Sequence, residues 1–244
     1  MRIALAALPV TNHNRLQNVQ TILQTLHDQA GKADLILFGE SFLSGFDTLS
    51  GDYEQDLAMA VTPSHPVILQ ICQAARQAQT AVSFGCIEKD AGVLYSAQYV
   101  IGAQGELIHT FRRISPGWKT VWNDPRYQEG DRFGTFDYLG KRMAIALCGD
   151  LWTEGQPQAM RSLHPDCVLW PVWCDYQPDE WNTQVKHEYA QQAALCGCPV
   201  LMANPFCIDP DAEDRATGGA AFFTHSKIAA ELPAGAPGIL QVDI

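Results

Sequence analysis

The sequence predicts a layered α/β sandwich, and three observations carry that expectation. Short apolar runs alternate with segments whose apolar residues recur at helical spacing, and they do so along the whole chain. Two pairs of runs flank glycines and read as hairpins added to the alternating units. No Ser/Gly linker, low-complexity tract or repeat interrupts the 244 residues, so one domain is expected over residues 1–244. A chain of this length buries roughly 70–75% of its unfolded surface and needs no covalent staples. Strand direction stays open from the pattern alone.

Residues 3–8 read as a first strand. Residues 15–31 follow with Leu16, Val19, Ile22, Leu23 and Leu26 on one helical face and Gly31 as the stop. Residues 35–38 form a fully apolar strand that ends at Gly39-Glu40. A second helix covers residues 66–79, where Val67, Ile68, Ile71, Ala74, Ala75 and Ala78 share a face. Residues 81–88 are a strand, and 94–101 with 107–111 form a hairpin about Gly102 and Gly105. Residues 134–138 and 143–147 form another about Gly140. In the second half, 156–163 is a helix, 168–171 a strand and 180–195 a long helix. Strands at 199–204, 220–223 and 239–244 close the chain.

Composition narrows the function. A hydrophobic content of 47% with 18% charged residues describes an ordinary globular protein. The net charge of -11 argues against a nucleic-acid partner, and only Arg112-Arg113 and Lys141-Arg142 place basic residues side by side. The N-terminal apolar run carries one positive charge and Pro9, which fits a core strand better than a signal peptide. No run approaches the ~20 apolar residues of a membrane helix. The expectation is a soluble, cytoplasmic protein with no membrane partner. The eight cysteines include no C-x-x-C pair, so neither a zinc site nor a disulfide framework is indicated. They read as reduced; a redox role for Cys196 and Cys198, which flank one glycine, predicts a disulfide between them under peroxide.

Three segments carry chemistry. The apolar run 143–147 drives into Cys148-Gly149-Asp150, and a thiol at the end of a buried strand is held rigidly toward a cleft, as a nucleophile must be. The alternative is a small core hydrophobe. Glu40 ends the apolar strand 35–38, where desolvation suits a carboxylate to general-base work; the alternative is a surface acid or cap. Phe111-Arg112-Arg113 leads through Pro116-Gly117 to Trp118-Lys119 and places cations at a sheet edge, where one is suited to stabilise an oxyanion. The alternative is a solvated loop.

Together these segments resemble the nitrilase superfamily of carbon–nitrogen hydrolases. Leu37-Phe38-Gly39-Glu40 with Gly45-Phe46 is similar to the family's Glu motif, and Leu147-Cys148-Gly149-Asp150 with Glu154 to its Cys motif. Gln128-Glu129-Gly130-Asp131, the stretch from Ala190 to Asn204, Gly218-Gly219 and the closing run from Gly238 to Asp243 extend the likeness over nearly the whole chain. The resemblance implies a four-layer α-β-β-α sandwich, commonly assembled as a homodimer or higher homo-oligomer. It also implies hydrolysis of a non-peptide carbon–nitrogen bond by a Glu–Lys–Cys triad, without metal or organic cofactor.

One departure stands out. The family's lysine commonly sits in a Tyr-Arg-Lys motif, and its counterpart here is Arg113; Lys119, six residues on, is the other candidate and the one preferred from the sequence. The family's second Glu is not evident, and Glu129 is its nearest substitute. The implied roles are Cys148 as nucleophile, Glu40 as base, the Gly149 N–H with Lys119 or Arg113 at the oxyanion, and Trp173, Trp118 and Glu129 at the substrate pocket. The six indoles, Trp122 among them, are otherwise packing residues. A small amide giving acid and ammonia is the first expectation for the substrate. The alternatives are a nitrile or N-carbamoyl compound, or an inactive relative serving as a binding or scaffold protein.

Overall fold

The computed structural model describes residues 1–119 and 123–244. Its strands in chain order are β1 (Arg2–Ala7), β2 (Pro9–Val10), β3 (Leu35–Phe38), β4 (Ala81–Asp90), β5 (Val93–Ile101), β6 (Leu107–Arg112) and β7 (Thr135–Tyr138). They continue with β8 (Lys141–Ile145), β9 (Cys167–Pro171), β10 (Val200–Ala203), β11 (Phe206–Cys207), β12 (Ala220–Thr224), β13 (Lys227–Leu232) and β14 (Gly238–Asp243). The helices are α1 (Arg15–Gln29), α2 (Tyr53–Met59), α3 (Pro66–Ala78), α4 (Gln156–Ser162), α5 (Pro178–Glu180) and α6 (Lys186–Ala194).

Two six-stranded sheets hold the molecule, ordered β14-β1-β3-β4-β5-β6 and β13-β12-β10-β9-β8-β7. Each has three parallel strands at its centre: β1, β3 and β4 in the first, β8, β9 and β10 in the second. Antiparallel partners flank them on both sides. Alternation along a strand sorts side chains to opposite faces. Ile3, Leu5, Leu35 and Leu37 join the core shared with the second sheet, whereas Ala4, Ala6, Ile36 and Phe38 join the core beneath α1 and α3. Met160 of α4 and Tyr189, Ala190 and Ala193 of α6 belong to the core of the second sheet. The layers run helix, sheet, sheet, helix, the sandwich that the family resemblance implies.

Local signals account for most boundaries. Asn14 accepts the Gln17 N–H and caps α1, and Pro66 opens α3 at the position where a missing N–H costs nothing. Gly31, with φ 72°, turns the chain just beyond α1, as expected.

The structure differs from expectation in several places. The helix expected over 180–195 is split into α5, a π-helical turn at Trp181–Val185, and α6. The wider turn keeps Trp181 and Val185 in the core while Asn182 makes two bonds, of 3.0 and 2.9 Å, to the Ala234 backbone. Helix α2 is short, opens on its Asp52 cap, and turns Tyr53 and Leu57 onto a small cluster with Ile87, Leu94 and Trp118. Strand β13 alternates exposed and half-buried residues, so no apolar run announces it.

Candidate active site

Four strand exits converge where the two sheets meet. Glu40 follows β3, Arg113 follows β6, Cys148 follows β8, and Trp173 and Cys174 follow β9.

Glu40 is fully buried, and its N–H reaches across to the Val172 carbonyl at 3.2 Å. Oε1 accepts bonds from Arg113 Nη1 at 2.9 Å and Ser96 Oγ at 3.3 Å. Oε2 has no partner among the described residues. One oxygen is thus held in place while the other is buried with its hydrogen-bonding capacity unused, a pairing that suits a base better than a structural acid. Gly85 lies directly beneath: a Cβ there would sit 2.2 Å from the Ser41 nitrogen and 2.9 Å from Glu40 Cα. Gly85→Ala is expected to cost about 1–3 kcal/mol through overpacking against the main chain. An unchanged urea midpoint would show that the Glu40 turn is not so tightly seated.

Cys148 sits at a sharp corner. The chain leaves β8 extended, Cys148 adopts φ 39°, and a 3₁₀ turn follows at Cys148–Trp152. A non-glycine residue in the left-handed region persists only when its surroundings fix it. Here Trp170 donates its indole N–H to the Cys148 carbonyl at 2.9 Å, and the half-buried thiol lies 3.7 Å from the Trp173 carbonyl. The largest restraint is Asp150, which is fully buried. It accepts the Leu147 N–H at 2.8 Å, the Ile114 N–H at 3.0 Å and the Ser115 N–H at 2.7 Å, so it ties the segment after Arg113 to the cysteine turn.

Burial raises the Asp150 carboxyl above the usual carboxylate range, and its bonds to Ser115 and Leu147 offset only part of the shift. A folded-state value above the unfolded one means that this group's contribution to stability is greatest below its unfolded pKa of about 3.9. That contribution is lost as pH rises through the folded value. Asp150→Asn is expected to flatten that decline and, by turning an amide NH₂ toward a backbone N–H, to cost about 1–2 kcal/mol. Urea midpoints from acid to neutral pH test both parts; a variant with the wild-type profile would rule out a charged Asp150 as the tie.

Arg113 is 5% exposed and uses its whole fork. Nη1 meets Glu40, Nε donates to Ser115 Oγ at 3.0 Å, and Nη2 donates to the Pro116 carbonyl at 3.1 Å. A Cβ on Gly149 would stand 2.8 Å from Nη2, so the guanidinium spans the gap between Glu40 and the residue after the cysteine. Burial pulls the guanidinium pKa down, but the charges of Glu40, Cys148 and Asp150 overcome it and the net direction is upward. Its neighbour Arg112 points to the other face and pairs with Glu88 at 2.6 Å and Asp90 at 2.7 Å.

Lys119, the cation preferred from the sequence, is placed differently. Its Nζ donates to the Tyr127 carbonyl at 2.6 Å, pairs with Glu129 at 3.3 Å and lies 5.5 Å above the Trp118 ring. Arg113 is therefore the cation on Glu40. Lys119 and Trp118 instead line a cavity of about 310 Å³ with Phe46, Gly117, Glu213 and Asp214. This cavity borders the site, because Phe46 stacks on Trp173 at 5.6 Å and a Cβ on Gly117 would lie 3.4 Å from Arg113 Nη2. Trp118 Nε1 is buried without a partner among the described residues. Glu129 opens instead onto a separate cavity of about 560 Å³ beside β6. Trp122 lies outside the described residues.

Sequence reasoning gave no role to Asp150, Ser96 or Cys174. Asp150 stands inside the quoted cysteine segment, but its partners come from a different part of the chain. Ser96 and Cys174 carry no signal of their own.

The sequence model described as carbon–nitrogen hydrolase matches residues 2–244. The (R)-stereoselective amidase of a Pseudomonas species is 29% identical over 170 residues, covering 69% of this chain and 59% of that protein. The aliphatic nitrilase of Rhodococcus rhodochrous is 25% identical over 181 residues, covering 72% and 48%. The chain thus spans between 48% and 59% of the length of these two curated relatives. Among solved structures, a nitrilase-superfamily amidase from Nesterenkonia AN1 superposes with a TM-score of 0.77 at 17% identity, over 100% of this chain and 90% of that one. The glutamine-dependent NAD+ synthetase of Acinetobacter baumannii gives 0.75 at 21% identity, over 98% of this chain and 44% of that one. These structures share the fold of this chain.

Proposed function

The chain belongs to the carbon–nitrogen hydrolase family, and from that premise we propose that it hydrolyses a small amide through a thioester on Cys148. The observation that carries this reading is the fully buried Glu40, with one carboxylate oxygen fixed by Arg113 and Ser96 and the other unpartnered among the described residues, at the junction where the Cys148 turn arrives.

In this reading, Glu40 Oε2 takes the thiol proton as Cys148 Sγ attacks the amide carbon. The Gly149 N–H and the Arg113 guanidinium meet the charge that develops on the carbonyl oxygen. Glu40 then returns the proton to the leaving nitrogen, and ammonia departs as the carbonyl re-forms. Water enters, gives a proton to Glu40 and attacks the thioester; the acid leaves and the thiol is restored. Arginine stays charged throughout, so its part is electrostatic and all proton traffic runs through Glu40. The aromatic wall of Phe46, Trp173 and Trp118 suits a partly apolar acyl group. The relatives named amidase and nitrilase support a small amide or nitrile as substrate.

A second reading has one observation in its favour: arginine occupies the place where the family commonly has lysine, which fits a relative that binds but does not turn over. Ammonia release from a panel of primary amides, nitriles and N-carbamoyl compounds, run beside Cys148→Ala, separates the two. Release that is lost in the variant supports the hydrolase. Silence across the panel, with Cys148 no faster to alkylate than the other cysteines, supports the binding protein.

A further inference from the structure

Hydrolysis as proposed uses one thiol, yet the site holds two. Cys174 directly follows Trp173, whose carbonyl faces the Cys148 thiol at 3.7 Å. Asn204 clamps the Cys174 backbone from both sides, accepting its N–H at 2.9 Å and donating to its carbonyl at 2.9 Å. The Cys174 side chain is 5% exposed and lies 3.0 Å from the Tyr189 hydroxyl, and the Cys174 nitrogen is bonded to the very carbonyl that the Cys148 thiol meets. The Cys148 backbone is pinned in turn by Trp170. Two sulfurs on clamped backbones, one half-buried and one buried, have the arrangement of an oxidisable thiol with a resolving thiol behind it.

We infer that Cys148 and Cys174 form a reversible redox pair, in which hydrogen peroxide oxidises Cys148 and Cys174 closes on it as a disulfide. In the first step the Cys148 sulfur attacks one peroxide oxygen: an S–O bond forms, the O–O bond breaks, and the departing hydroxide takes up the thiol proton as water. In the second, the Cys174 sulfur displaces the hydroxyl of the sulfenic acid: an S–S bond forms, the S–O bond breaks, and a second water leaves with the Cys174 proton. The two thiols give up two electrons and peroxide accepts them; a dithiol reverses the change. The order follows from accessibility, since Cys148 is the more exposed sulfur. The bond to Cys148, together with burial, also raises the Cys174 thiol well above the ordinary thiol range, so it serves as the second sulfur rather than the first. The disulfide blocks the nucleophile and shields it from irreversible oxidation to the sulfinic acid.

The inference rests on the reading of Cys148 as the accessible thiol of this site, but not on turnover. The test treats reduced protein with hydrogen peroxide, digests it without reductant and maps the linked peptides by mass spectrometry. Chymotrypsin cuts after Trp173 and so separates Cys174 from Cys167. The expected product is a Cys148–Cys174 bridge that dithiothreitol removes. In Cys174→Ser, the sulfenic acid on Cys148 persists and dimedone labelling rises about tenfold or more. A Cys148 link to any other cysteine, oxidation without a link, or no oxidation overturns the inference. If Cys174→Ser does not fold, the wild-type map decides alone. No substrate is involved, so a protein that forms the bridge on oxidation yet releases no ammonia in its reduced form sinks the hydrolase reading and leaves the redox pair standing.

Discussion

Cys148→Ala is expected to lower ammonia release by at least about 10⁴-fold, because removing the nucleophile leaves only binding and oxyanion contacts to act on water. The reason is local. Alanine keeps the backbone and removes a single half-buried sulfur, whose nearest protein acceptor is a carbonyl at 3.7 Å. The fixed features of the corner do not depend on that sulfur: the Trp170 bond goes to the main-chain carbonyl and the Asp150 bonds go to other residues. Stability should therefore change by under about 1 kcal/mol while turnover vanishes. Initial rates and urea midpoints on the same preparations test the pair of claims. Retention of more than a few per cent of activity would remove Cys148 from the chemistry.

Arg113→Met should damage stability and rate together. Methionine fills part of the volume but strands the Glu40 carboxylate, which is fully buried and loses its partner at 2.9 Å. Breaking one half of a buried ion pair costs about 3–5 kcal/mol. Loss of the charge at the oxyanion removes roughly a further 10²–10³-fold from kcat in any protein that still folds. Arg113→Lys separates the contributions. It restores a charge but not the fork, so the bonds to Ser115 Oγ and the Pro116 carbonyl are lost along with the reach toward Gly149. The lysine variant should recover most of the stability and only part of the rate. If Arg113→Met unfolds at the wild-type urea concentration, the contact with Glu40 is not engaged in solution and the reading of Arg113 fails with it.

Glu40 and Cys148 stood out as candidates because each ends an apolar run, and a polar residue at the exit of a buried strand stands out against it. The choice between Arg113 and Lys119 was not settled that way. Strand alternation does send Arg112 and Arg113 to opposite faces, but only the ladder position fixes which one meets Glu40: the Arg113 N–H bonds the Ser96 carbonyl at 2.8 Å. Lys119 lies beyond the Pro116-Gly117 bend, where spacing says nothing about direction. Cys174 was unreadable for another reason. Its meaning comes from contact with a residue 26 positions earlier and with Tyr189 on a helix of the outer layer, and no periodicity encodes such a meeting. Most of the alternation of strands and helices was readable. The π turn and β13 were not, because one departs from regular helical spacing and the other exposes half of its residues.

Glu40 and Arg113 leave strands of the first sheet, while Cys148, Trp173 and Cys174 leave strands of the second. The Glu40 N–H to the Val172 carbonyl and the Ile114 and Ser115 N–H groups to Asp150 are stitches across that seam. Neither half of the chain owns a reactive centre. During refolding, each sheet can gain its hydrogen bonds while the thiol still lacks its base, so recovery of chemistry must trail recovery of secondary structure. If the proposed chemistry holds, the site thereby acts as a built-in clock for the docking of the two halves, and the lag between the circular dichroism signal and the first ammonia released would measure how long that docking takes.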